Sequence, residues 1–174
     1  MKKTLLTVAL VAMAAVSSFA QGTIAFGNSA LTRVTITLDG VKRNAAATDN
    51  VAISVCYGPA GAEASALTQV VAAASIGSTA GVMVNAPSVF AIPGTEPNQV
   101  VSLQIRATAA GGLHGETKVA QVTLGQTAGP GAVIWQTSDT NPSRFTPLNI
   151  VPEPSTIALG ALGLGRLLLF RRRK

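Results

Sequence analysis

One cysteine, one histidine, one tryptophan and one tyrosine in 174 residues leave little from which to build a metal centre, a disulfide framework or an aromatic-rich surface. A zinc or iron–sulfur site needs several soft ligands, and a lone Cys cannot close an intrachain disulfide. Charge is scarce as well: 11% of the residues are charged and 48% are hydrophobic, the reverse of the balance that keeps a chain disordered. Motifs of catalysis are also missing. There is no Gly-x-Ser-x-Gly, phosphate-binding or dinucleotide-binding signature. Asp39, Asp49 and Asp139 are scattered, without the acidic alternation of a calcium loop. His114 and Glu116 form the one His–carboxylate proximity, within the Gly-rich stretch Gly111-Gly112-Leu113-His114-Gly115, which reads as a solvated hairpin loop. The reading is of a non-enzymatic protein with no metal and no cofactor.

The formal charge of +6 would suggest nucleic acid as a partner, but its distribution argues otherwise. Seven of the thirteen basic residues are Lys2, Lys3, Arg166, Arg171, Arg172, Arg173 and Lys174, all near the termini. The remaining six are balanced by six acidic residues between positions 21 and 150. A neutral middle without a basic cluster cannot neutralise a row of phosphates, so nucleic acid is excluded.

Residues 1–20 run from a basic start through an apolar stretch at 5–16 to the small-residue exit Ser18-Phe19-Ala20. That order is a secretory signal peptide, too short in its apolar part to serve as a membrane anchor. Small side chains at Ser18 and Ala20 predict cleavage by signal peptidase before Gln21.

The other end reads Val151-Pro152-Glu153-Pro154-Ser155-Thr156, then an apolar run at 157–170, then Arg171-Arg172-Arg173-Lys174. Two prolines hold the hexapeptide extended, and Ser155 is placed to cap a helix. As a helix, residues 155–170 would span roughly 24 Å, somewhat less than the hydrocarbon thickness. The basic stop would remain on the cytoplasmic side and leave the rest of the chain outside. In this order the three parts resemble the PEP-CTERM sorting signal of bacteria that make extracellular polysaccharide. The resemblance implies recognition of Pro152, Glu153 and Pro154 by the membrane protease exosortase, with Arg171 to Lys174 as the membrane stop. It further implies a transient inner-membrane intermediate, then release to the cell surface or extracellular matrix. Arg166 departs from the pattern by placing a charge inside the apolar run, with four residues between it and Arg171, close enough to snorkel toward the headgroups.

Between the ends, alternation dominates. Residues 33–38 place Val34, Ile36 and Leu38 on one face and meet Asp39-Gly40, a type I′ hairpin dipeptide. Residues 51–57 and 100–108 alternate in the same way, and 118–124 is expected to return against 100–108. Shorter candidates are 22–26, 81–84, 132–136 and 144–148; the Ala-rich 63–75 is read as strand. Seven or so short strands punctuated by Gly and Pro predict an all-β antiparallel β-sandwich over 21–150, followed by a single hydrophobic helix in the sorting signal 151–174. The segments Gln21 to Asn28, Tyr57 to Gly61 and Val101 to Ala107 are similar to secreted PEP-CTERM proteins of Verrucomicrobia-type bacteria, a resemblance that implies no activity.

Cys56 reads as a small buried hydrophobe, with pairing to a second chain as the other option. Trp135, Tyr57, Phe26, Phe90 and Phe145 supply the aromatics from which a sugar-stacking platform could be drawn. The expectation is a structural or adhesive surface protein; a carbohydrate-binding module for exopolysaccharide is the alternative.

Overall fold

The computed structural model describes residues 21–126 and 129–152, so the expected signal peptide, apolar helix and basic tail lie outside the described residues. Twelve strands, β1 (Thr23–Ala25) through β12 (Asn149–Pro152), form an all-β fold. Among the described residues the helical turns are two of three residues each, Ala47–Asp49 and Ala64–Ala66.

The spine is the antiparallel pair β4 (Ala52–Pro59) and β8 (Val100–Ala109), in register from Ala52 opposite Thr108 to Pro59 opposite Val101. Alternation fixes its two faces. Ile53 and Val55 join Val101, Leu103, Ile105 and Ala107 in the core, all buried, while Ser54, Cys56, Gln104 and Arg106 occupy the opposite face. Beyond β4 come β5 (Thr68–Ile76) and β6 (Met83–Val84). The Ala-rich stretch thus divides: its start is a helical turn and its remainder a strand, because Thr68 and Val70 supply the β-branched side chains that Ala lacks.

On the other edge of β8 the chain lays two strands end to end, β9 (Leu113–Glu116) against Arg106 to Ala109 and β10 (Ala120–Thr123) against Val100 to Leu103. Thr117 bridges the break. Its N–H donates to the Ile105 carbonyl at 3.0 Å, and its Oγ1 accepts from the Ile105 N–H at 3.0 Å. The return therefore begins at Leu113, earlier than position 118, and His114 and Glu116 stand in a strand where a loop was expected. Gly111 and Gly112, both at positive φ, suffice for the turn.

Strand β12 joins β9 in antiparallel fashion to β2 (Thr35–Leu38) in parallel fashion, and β3 (Val41–Asn44) closes that end of a nine-stranded sheet through the Asp39-Gly40 hairpin. A second sheet of three strands has β1 at its centre, parallel to β11 (Ala132–Val133) and antiparallel to β7 (Phe90–Ala91). The pairing is thus mixed where purely antiparallel strands were expected. Both parallel joints set an early strand beside a late one, a neighbour relation that no local hairpin signal reports. Ile24, Ile36, Ile53, Leu103 and Ile150 from both sheets share one core with Phe26, Ile134 and Phe145 from the connecting segments. Residues 144–148 form no strand; Phe145 instead makes an isolated bridge to Trp135.

The large sheet curls until its far ends meet. The Asn28 side chain donates through Nδ2 to the carbonyls of Thr32 and Gly81, at 2.8 Å each, and accepts through Oδ1 from the Met83 N–H at 2.8 Å. Gly81 also receives the Val34 N–H at 2.8 Å and donates to the Ala45 carbonyl at 2.7 Å. Its φ is +78°, and an added Cβ would stand 2.7 Å from Arg33 Cβ and 2.8 Å from the Val34 oxygen. At the neighbouring corner Arg43 grips Asp49 with both nitrogens, at 2.7 and 2.6 Å, and Asp49 accepts the Ala46 N–H at 2.7 Å.

Gly81→Ala is expected to cost about 2 to 4 kcal/mol, the sum of left-handed strain and backbone overlap. Gly61→Ala, at a similar φ but in open space, should lose only about 1 to 2 kcal/mol in the same urea titration. The Arg43 guanidinium holds the Asp49 carboxyl below its ordinary range. A depressed folded-state pKa stabilises above the unfolded value and ceases to do so as pH falls through the folded one. Stability curves of wild type and Asp49→Asn should therefore separate above about pH 4 and converge in stronger acid.

Candidate functional site

The chain's most specific signal begins inside the folded sheet. In β12, Asn149 Oδ1 accepts hydroxyl hydrogens from Thr35 at 3.0 Å and Thr37 at 3.1 Å, and Ile150 is fully buried opposite Ile36. Gly115 lets β9 lie close on the other side, since a Cβ there would come within 2.6 Å of the Asn149 oxygen. Register with β2 ends at Ile150. The next two residues pair with β9 alone, Val151 opposite His114 and Pro152 opposite Leu113, and both are exposed. Pro152 is thus the last residue of a strand and contributes no N–H, the position in a sheet where proline is tolerated. Glu153 and Pro154, the other two predicted recognition residues, follow directly and lie outside the described residues, as do Ser18, Ala20 and Arg171 to Lys174. Gln21 stands two residues before β1, whose first residue, Thr23, is buried and donates its hydroxyl to the Gln126 carbonyl at 3.0 Å.

The remaining polar candidates are tied into the fold. Glu116 accepts from Gln104 Nε2 at 3.2 Å and lies 3.8 Å from Arg106 Nε. Gln104, almost wholly buried, also donates to the Thr117 carbonyl at 2.9 Å and accepts from Arg106 Nε at 2.9 Å. Arg106 then reaches the Ala64 carbonyl at 2.7 Å, fastening the turn Ala64–Ala66 to the outer face of the spine. Cys56 opposes Gln104 beneath this cover with no exposed surface. Burial pushes its thiol up, against the opposing pull of Arg106. Among the described residues, no three His, Cys, Asp or Glu side chains gather as a metal-holding group.

The aromatics divide in the same way. Trp135 is 7% exposed, donates its indole N–H to the Phe26 carbonyl at 2.8 Å and packs edge-on against Phe145 at 6.2 Å. Phe26 and Phe145 have no exposed surface. These three rings belong to the core, with Trp135 alone of them reaching the edge of a groove. Beside Trp135 runs a groove of about 620 Å³ whose rim includes Leu31, Val133, Gln136 and Arg144. The Gln136 amide is directed to the carbonyls of Asn141 at 2.8 Å and Arg144 at 3.3 Å. Tyr57, half-buried, donates its hydroxyl to the Pro93 carbonyl at 2.8 Å.

Alternation of apolar residues pointed to the β4–β8 spine, and the hexapeptide to the sorting signal; the pairing of β12 gave no sequence signal. Two residues gave no such signal: Asn28 and Asn149, each of which takes its importance from partners more than fifty positions away.

Fold and terminus together define a small all-β domain whose last strand runs directly into a C-terminal signal. Comparison with protein families identifies that signal: residues 151–174 match the PEP-CTERM protein-sorting motif. The motif marks a protein processed by exosortase, exported through a membrane-anchored intermediate to the cell surface. No curated protein and no solved structure matches the chain.

Full burial of Cys56 predicts that a maleimide leaves the native protein unlabelled and reacts with one thiol after denaturation. Labelling of the folded protein, or a disulfide-linked dimer on a non-reducing gel, would contradict the burial.

Proposed function

We propose that this is a secreted, non-enzymatic surface protein in which the two sheets form a sandwich-like body between two processing sites. Signal peptidase cuts before Gln21, exosortase reads Pro152, Glu153 and Pro154, and the body at 21–150 remains at the cell surface or in the polysaccharide matrix with a structural or adhesive role. The match of residues 151–174 to the sorting motif carries the reading. Among the described residues, β12 ends at Pro152, so the sheet runs into the matched motif without a spacer. The resemblance of Gln21 to Asn28, Tyr57 to Gly61 and Val101 to Ala107 to secreted proteins of Verrucomicrobia-type bacteria is in keeping with export and implies no activity.

Tether length adds a physical constraint. From Pro152 to the start of the apolar run at Ile157 are five residues, at most about 18 Å when fully extended. With residues 157–170 in the bilayer and Arg171 to Lys174 on the cytoplasmic side, the intermediate is held against the outer headgroups. The carbohydrate-binding alternative loses Trp135, Phe26 and Phe145 to the core and retains, among the described residues, the groove near Arg144 and the smaller hollow beside Tyr57 as candidate surfaces.

Intact mass of the protein recovered from envelope and medium of its native host tests the reading. The expected chain begins at Gln21 and ends between Val151 and Thr156. A mass retaining residues 157–174 in the mature surface protein would overturn it.

A further inference from the structure

We infer that the end of β12 is a detachable segment, and that the sorting protease takes up Val151 and Pro152 only after they peel from β9, with Ile150 as the point where peeling stops. The inference rests on the sorting reading above and concerns how this domain's own sheet meets the protease. A protease cleft binds its substrate as a single extended strand and satisfies the backbone itself. Residues already paired in a sheet cannot make those contacts, and cleavage proceeds through the locally opened form. The matched motif begins at Val151, and its first two residues are in the β9 ladder. Fold and protease therefore compete for them.

The sheet grades its hold along β12. Asn149 receives two threonine hydroxyls, and Ile150 is fully buried between β2 and Gly115 of β9. Opening either would expose the core. Val151 has lost its β2 neighbour and is 41% exposed; Pro152 is exposed and has no N–H to lose. Releasing these two gives up the β12–β9 pairs while Asn149 and Ile150 stay paired with β2, so the strand separates at the Ile150–Val151 junction. The body stays closed while the motif lengthens by the two residues the cleft needs.

A crosslink tests this. His114→Cys combined with Val151→Cys places two thiols on directly opposed residues of an antiparallel pair, where Cα separations of about 4.5 to 5.5 Å suit a disulfide. The full chain is expressed in a host carrying exosortase, and conversion to the processed mass is followed in time. The oxidised double variant is expected to convert at least about tenfold more slowly than the same protein kept reduced, because the open population falls with the crosslink. Equal rates would overturn the inference while leaving the sorting reading intact, since processing would still occur. Failure of the wild-type chain to be processed at all would overturn the sorting reading and this inference with it. A four-residue Gly-Ser insertion between Ile150 and Val151 provides an independent arm that does not depend on the crosslinked protein folding. It leaves every residue through Ile150 in place and frees the motif from its register with β9. Faster conversion is expected; unchanged or slower conversion would overturn the inference.

Discussion

The carboxamide of Asn28 is the point on which the curled sheet depends. One side chain draws the carbonyls of Thr32 and Gly81 and the N–H of Met83 into a single knot, and so fixes the loop after β1 to the turn that precedes β6. Gly81 completes it by accepting from Val34 and donating to Ala45, which lie on either side of the β2–β3 hairpin. With these bonds made, the buried backbone at the seam is satisfied in place of water, and the two ends of the sheet enclose the core. Separation would leave several polar groups of a water-excluded seam without partners, a cost of about 1 to 3 kcal/mol for each.

How much of this could be read from residues alone follows from the range of each interaction. Strands β2, β4 and β8 were legible because alternation is a property of neighbours: Val34, Ile36 and Leu38 announce a buried face wherever the strand is placed. The Asp39-Gly40 turn was legible for the same reason, and both residues take positive φ. The parallel joints were not, because β2 and β12 are more than a hundred positions apart and nothing in either names the other. Strand β12 itself was not among the strand candidates, because it straddles the junction between the body and the extended hexapeptide and its partners are distant in sequence. Thr117 concealed the start of β9 by continuing the ladder through its hydroxyl.

The candidate site shows the same division. Position and order of Pro152, Glu153 and Pro154, with the apolar run and basic terminus, identify the signal without any fold. The fold adds that the signal has no spacer ahead of it. Trp135 shows the opposite outcome: a residue suited by type to hold a sugar is used instead to tie Phe26 to Phe145, a distinction made by burial and the indole hydrogen bond. Cys56 and Glu116 likewise have chemistry available to them, but Cys56 is buried opposite Gln104 and Glu116 is held by Gln104, while Arg106 beside them fastens the turn at Ala64 over the spine.

Strand β12 is an interior strand, set between β2 and β9, although it comes last in the chain. For a polypeptide threaded outward across a membrane from its N-terminus, the piece that joins the β2–β3 hairpin to the rest of the sheet is the final piece to arrive. Until residue 150 has cleared the channel, two sheet edges face each other across a missing strand, and the domain has no complete form to adopt. Completion of the sheet therefore waits on Asn149 and Ile150, and a chain lacking them would leave the edges of β2 and β9 open to pairing with other strands.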